Sequence, residues 1–168
     1  MDEELVLTPD LLSPLSLFTT LLSALVTSLP ASLATALYRR IASALSTALY
    51  DRLITNRTWS EAAGQQFLYD FQQGFLAVGR TARIQRGVER GWELLSGAAV
   101  VISLPASTSE KKGEISFSKV MQLAFDDSVP VGEGTAWNGM LEGLGIDEEK
   151  LGKKEVMAIL RRRPECWR

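Results

Sequence analysis

Few side chains among these 168 residues are of a kind that does chemistry. There is no histidine. Its absence removes the commonest general base, the Ser-His-Asp and Cys-His nucleophile systems, and the zinc motifs that use histidine. The single cysteine, Cys166, excludes all-thiolate metal sites and fits a reducing compartment, the cytosol or nucleus. Carboxylate or lysine chemistry stays open, but no two acids are placed for acid–base work. The expectation is a protein that is not an enzyme, with no catalytic residue, metal or cofactor.

What remains suits recognition. Gln66 and Asp70 are four apart, so on a helix they share one face. They could meet a partner, or hydrogen-bond a neighbouring loop or helix end, as buried polar groups usually do. Arg80, Arg83, Arg86 and Arg90 gather in a short stretch. They could form an anion-facing patch for an acidic segment or lipid headgroups, or a solvated arginine face. The use of arginine throughout favours contacts, because guanidinium forks pair with carboxylates in fixed geometry. Lys153, Lys154 and Arg161, Arg162 and Arg163 could touch phosphates, or could complement a helix dipole. Gly132-Glu133-Gly134 lacks a preceding strand and reads as a turn. Net charge is −2, so nothing in the overall balance points to nucleic acid.

These residues need elements to place them. The spacing predicts an all-α fold, an antiparallel bundle of about five to seven helices. Ser13-Pro14 looks like a helix start, and Leu15, Phe18, Leu22, Leu25 and Leu29 then follow at helical spacing. A second helix is expected from Pro30 to Ile54, with Leu33, Leu37, Ile41, Leu45, Leu49 and Leu53 turned inward and Ala34, Ala44 and Ala48 widening that apolar face. Thr58 to Glu61 has the pattern of a capping box, starting a third helix that ends near Gly79. A fourth, over 84–104, is apolar nearly all round in its second half and should be central. If it starts early, Arg83, Arg86 and Arg90 share a face. Short helices follow from Ser116 or Ser118, from Thr135 to Leu144, and from Gly152 into the Arg161–Arg163 run. Trp92 should be core, and Trp137 and Trp167 partly exposed. The expected organisation is an acidic N-terminal segment, 1–12, and one bundle domain, 13–168, with a mobile loop near 105–115.

Leu11 to Tyr38 holds 28 residues without a formal charge, long enough to span a membrane. Nine of them are Ser or Thr, and Pro14 and Pro30 interrupt it. The helical stripe implies a protein neighbour on one face. Core helices therefore fit better than a membrane span. The alternative is a membrane-active bundle that inserts its N-terminal helices.

The stretches "YDRLITN", "TWSEAAGQQFLYDFQQGF" and "RGWELLSGAAVVISLP", in that order, resemble the C-terminal region of the RINT/TIP family. The specific element is an aromatic residue, an acid two on, small residues, Gln, a bulky apolar residue, then Asp four after the Gln. Here those positions are Trp59, Glu61, Ala62 to Gly64, Gln66, Phe67 and Asp70. Trp59 stands where the family usually has phenylalanine. "LGIDEEKLGKKEVMAILRRR" is similar to the family's terminal helix. The resemblance implies the C-terminal piece of a longer, rod-shaped subunit of the Dsl/NRZ tethering complex. It also implies work in Golgi-to-ER retrograde vesicle transport, with ER SNARE proteins and other complex subunits as partners. Localisation would be cytoplasmic and peripheral at the endoplasmic reticulum membrane.

Overall fold

In the computed structural model, residues 5–82, 84, 87–106 and 115–167 are described. Every regular element among them is helical, as the periodicity predicts. The elements are α1 (Pro9–Ser28), α2 (Ala31–Leu49), α3 (Glu61–Asp70), α4 (Leu76–Thr81), α5 (Glu93–Ser103), α6 (Phe117–Phe125), α7 (Ala136–Gly143) and α8 (Lys153–Leu160). A π-helical turn, Tyr50–Ile54, extends α2, and another, Phe71–Phe75, joins α3 to α4. The described residues thus form seven continuous helical rods. A 3-10 turn, Pro164–Trp167, follows the last.

The first rod starts earlier than Ser13-Pro14 suggests. Pro9 occupies its first turn, where a missing N–H costs nothing. Pro14 then sits inside the helix at the cost of a single backbone hydrogen bond. The expected stripe does face inward, with Leu15 and Leu22 buried and Phe18 packed against the core. It lies on α4 and the Phe71–Phe75 turn, where a Cβ on Gly74 would come within 2.9 Å of a Leu15 methyl.

The second rod is turned by one residue from its expected orientation. Its buried line is Ala34, Tyr38, Ala42 and Ser46, continued by Tyr50 and Ile54. Leu33 and Leu37 point to solvent, 54% and 39% exposed. The adjacent lines share the same four-residue step, so periodicity does not separate them. Close approach and polar pairing do. A Cβ on Gly91 would lie 2.6 Å from the Arg39 carbonyl and 3.0 Å from the Ala42 methyl, so only small residues fit this contact. The Tyr38 hydroxyl donates to the Val88 carbonyl (2.9 Å) and accepts from Trp92 Nε1 (3.0 Å).

The helix α5 runs through the middle. Leu95, Ala98, Val101 and Ile102 are buried on different sides of it. Its most extensive neighbour is α3, and α2 and α8 also pack on it. It begins later than expected, at Glu93, because Gly87 and Gly91 hold left-handed backbone (φ 70° and 98°) that turns the chain before Trp92. Neither end of α5 is capped from within. Ser46 of α2 accepts a hydrogen bond from the Leu95 amide (3.0 Å) at the start. Arg163, beyond α8, reaches the carbonyls of Ile102 and Leu104 at the end.

The C-terminal third adds Phe117, Val120, Trp137, Leu141, Val156 and Ile159 to the same core. Ser116 caps α6 and Thr135 caps α7, each accepting from an amide three residues on. Trp137 is fully buried rather than partly exposed, whereas Trp167 is 73% exposed. Most of the loop expected near 105–115, residues 107–114, lies outside the described residues.

Candidate functional site

The residues singled out around α3 form a set of clasps. Ser60, not Thr58, caps this helix, accepting from the Ala63 amide (3.2 Å). That leaves the Glu61 carboxylate free to reach sideways, where it accepts from the Ala106 amide (2.9 Å) in the loop after α5. Trp59 is buried. Its ring N–H donates to the Ile54 carbonyl (3.1 Å), and its backbone N–H to the Arg162 carbonyl (2.9 Å). Phe67 meets the Trp59 ring edge-on, centroids 5.3 Å apart.

Gln66 and Asp70 lie one turn apart, as their spacing requires, and act on one target. Asp70 is nearly buried. Its carboxylate accepts from the Thr8 amide (2.9 Å) and the Thr8 hydroxyl (2.6 Å). Gln66 Nε2 donates to the Val6 carbonyl (2.8 Å) and to Asp70 (3.0 Å). Together they hold the segment that leads into α1. Beside this clasp is a cleft of about 470 Å³. Leu11, Leu49, Leu53 and Phe75 supply its apolar walls, and Asp10 and Arg57 add opposite charges.

Of the arginine cluster, Arg80 and Arg90 are described and differ in backbone setting. Arg80 ends α4, exposed, 3.9 Å from Glu89. Such an exposed pair contributes little to stability. Arg90 lies in the turn before α5 and not on a helix. Arg83 and Arg86 lie outside the described residues. Arg90 instead stands with Arg39 of α2 against Gly87; a Cβ there would be 3.0 Å from Arg90 Cδ and 3.2 Å from an Arg39 guanidinium nitrogen.

The terminal basic run also divides. Lys153 donates to the carbonyls of Asp126 (2.8 Å) and Val129 (3.3 Å), with its ammonium 6.0 Å from the Trp137 ring centre. Arg161 lies over the Phe125 ring and is exposed. Arg163 is fully buried and far from solvated. Besides capping α5, it forms a fork with Glu165 (3.2 and 2.9 Å) and stacks 4.5 Å above Phe117. Sequence reasoning missed its special place. The signal was Pro164, which ends the helix and takes Arg163 off the exposed face of its neighbours. Gly64 was read merely as small. In fact a Cβ there would sit 2.0 Å from the Ile102 carbonyl oxygen, so it sets the distance between α3 and α5.

Burial raises three titrations. Burial pushes the Tyr38 hydroxyl up, although the hydrogen bond from Trp92 works against it. Burial, with the nearby Glu155 and Asp51 charges, pushes Tyr50 up to about 12. The Cys166 thiol is also raised by burial, which disfavours the reactive thiolate. Among the described residues no three His, Cys, Asp or Glu side chains lie together to hold a metal.

Polar residues hydrogen-bonded between neighbouring segments, around a central helix capped by its neighbours, define a helical-bundle protein. The chain belongs to the RINT-1/TIP-1 family, whose model matches residues 1–163. No curated protein and no solved structure matches the chain.

Proposed function

We propose that this chain is a non-catalytic part of a vesicle-tethering subunit acting in Golgi-to-ER retrograde transport. It works on the cytoplasmic side, peripheral to the endoplasmic reticulum membrane. It presents helix faces to SNARE proteins or to other subunits of a Dsl/NRZ-type complex. The observation that carries this reading is family membership over residues 1–163. The all-helical architecture agrees with it, and one continuous core from Leu15 to Leu160 supports treating the bundle as a single rigid unit. In this reading Trp59, Glu61, Gln66, Phe67 and Asp70 keep the bundle in shape and do not touch the partner.

The test is deletion of this region from the full-length protein in cells. Loss of complex assembly or of SNARE binding, with failed return of retrograde cargo, is expected. Unchanged assembly, binding and transport would overturn the reading.

A second reading rests on α1. Its most apolar 18-residue window has a mean hydropathy of 1.6, and 11% of that window is buried. Leu17 and Leu21 are 61% and 59% exposed. By length and composition this helix could enter a bilayer. Flotation of the purified chain with liposomes separates the two readings: a tether module stays in solution, and a membrane-active bundle rises with the lipid.

A further inference from the structure

The face of α2 turned away from the core has an organisation of its own. Leu33, Leu37, Arg40, Ala44 and Ala48 recur at steps of four and three, the spacing of a helix-packing seam, and all are exposed. A shallow groove of about 730 Å³ follows this line from Arg39 and Arg40 to Arg52. Its floor is made of small residues, Ser43, Ala44, Thr47 and Ala48. Two features besides that floor describe what would fill it. The first is the Leu33–Leu37 pair, which continues the seam towards the helix start as two adjacent apolar anchors. The second is charge. Three arginines and one acid, Asp51, border the groove, and Arg90 stands beside Arg39 at one end.

We propose that the outer face of α2 is a docking seam for one amphipathic helix of an acidic partner protein. That helix carries leucine-type residues at steps of three and four, which pack on Leu33, Leu37, Ala44 and Ala48. Carboxylates on its flanks meet Arg40 and Arg52. Small residues on the floor let two helix axes approach to about 8–10 Å. From Leu33 to Arg52 the seam is about 28 Å long, so the partner helix runs for about five turns. Lipid is a poorer occupant, because the groove is lined by charged residues and by Ser43, Ala44, Thr47 and Ala48, with no large apolar side chain for an acyl chain to pack on. The proposal rests on reading the chain as a module that presents helix faces; it adds which face, and what charge it selects.

The purified 168-residue chain tests it, using two synthetic helical peptides of about 20 residues. Both have leucines at the same spacing; one is flanked by glutamate and the other by lysine. Affinity is measured by titration, and the contact is mapped from backbone amide NMR shifts. The glutamate peptide is expected to bind with shifts confined to 33–52, and the lysine peptide about tenfold more weakly or worse. The double variant Arg40→Glu/Arg52→Glu should invert that preference. Ala44→Trp should abolish binding of the glutamate peptide while leaving the circular dichroism melt unchanged. Equal affinities, no binding, or shifts mapping to α1 or the Asp70 cleft would overturn the seam. So would α2 shifts produced by anionic vesicles, or by self-association of the chain alone. Because this assay involves no transport, a deletion that leaves assembly, SNARE binding and transport unchanged, with peptide binding intact, overturns the functional reading and leaves the seam standing.

Discussion

Gly64 is a residue that tolerates no addition. A methyl group there meets the Ile102 backbone oxygen at 2.0 Å, and backbone cannot rotate away as a side chain can. Gly64→Ala should therefore destabilise the chain by about 3 kcal/mol, at the upper end of overpacking effects, read from urea unfolding midpoints. Arg163 is the opposite case, a large charged group with every contact used. Arg163→Met keeps much of the bulk but orphans the Ile102 and Leu104 carbonyls, and should cost about 3 kcal/mol. Arg161→Met and Arg162→Met, at exposed neighbours, should stay within about 0.5 kcal/mol of the parent. A similar loss in all three would show that the buried fork contributes nothing special.

Elements here are held at their ends. The clasp of Asp70 and Gln66 on Thr8 and Val6 fixes where α1 begins, although α1 itself is packed on one side alone. Asp70→Asn keeps the shape but turns one acceptor oxygen into a donor facing donors. Amides in residues 5–12 should then exchange with solvent at least about tenfold faster, while those of α5 remain protected. Equal exchange in variant and parent would mean that packing alone anchors the segment. This level also shows what the sequence discloses. The helices, the inward face of α1 and the central place of α5 follow from hydrophobic spacing, and Gln66 and Asp70 fall on one face as their separation demands. The orientation of α2 does not follow, because the Leu33 and Tyr38 lines have identical periodicity. What separates them is a tyrosine hydroxyl with two distant partners and a glycine contact on the Ala42 side. Nor do the caps of α5, whose donors and acceptors come from Ser46 and Arg163, 49 and about 60 residues away.

For the whole molecule, the buried tyrosines link stability to alkali. In the folded chain Tyr38 and Tyr50 hold their protons beyond the ordinary value of 10.0, Tyr50 to about 12. Over that interval the folded state binds more protons than the unfolded state, so stability falls as pH rises. It is complete below about pH 10 and is lost progressively up to about pH 12. Denaturant midpoints should drop across this window, and Tyr50→Phe should flatten the drop. A slope equally steep in the variant would place the effect elsewhere. The surface has its own division of labour: from Leu11 onward α1 offers leucines without charge, while α2 offers leucines, small residues and arginines.

The reach of Arg163 to α5 also has a consequence in time. A ribosome adds roughly 5–20 residues each second. The carbonyls of Ile102 and Leu104 therefore wait roughly 3–12 s, some 61 and 59 residues of synthesis, before their guanidinium exists. During that interval the C-terminal carbonyls of the central helix lack their guanidinium partner. The seal on the central helix is therefore set by a residue made well after the helix itself.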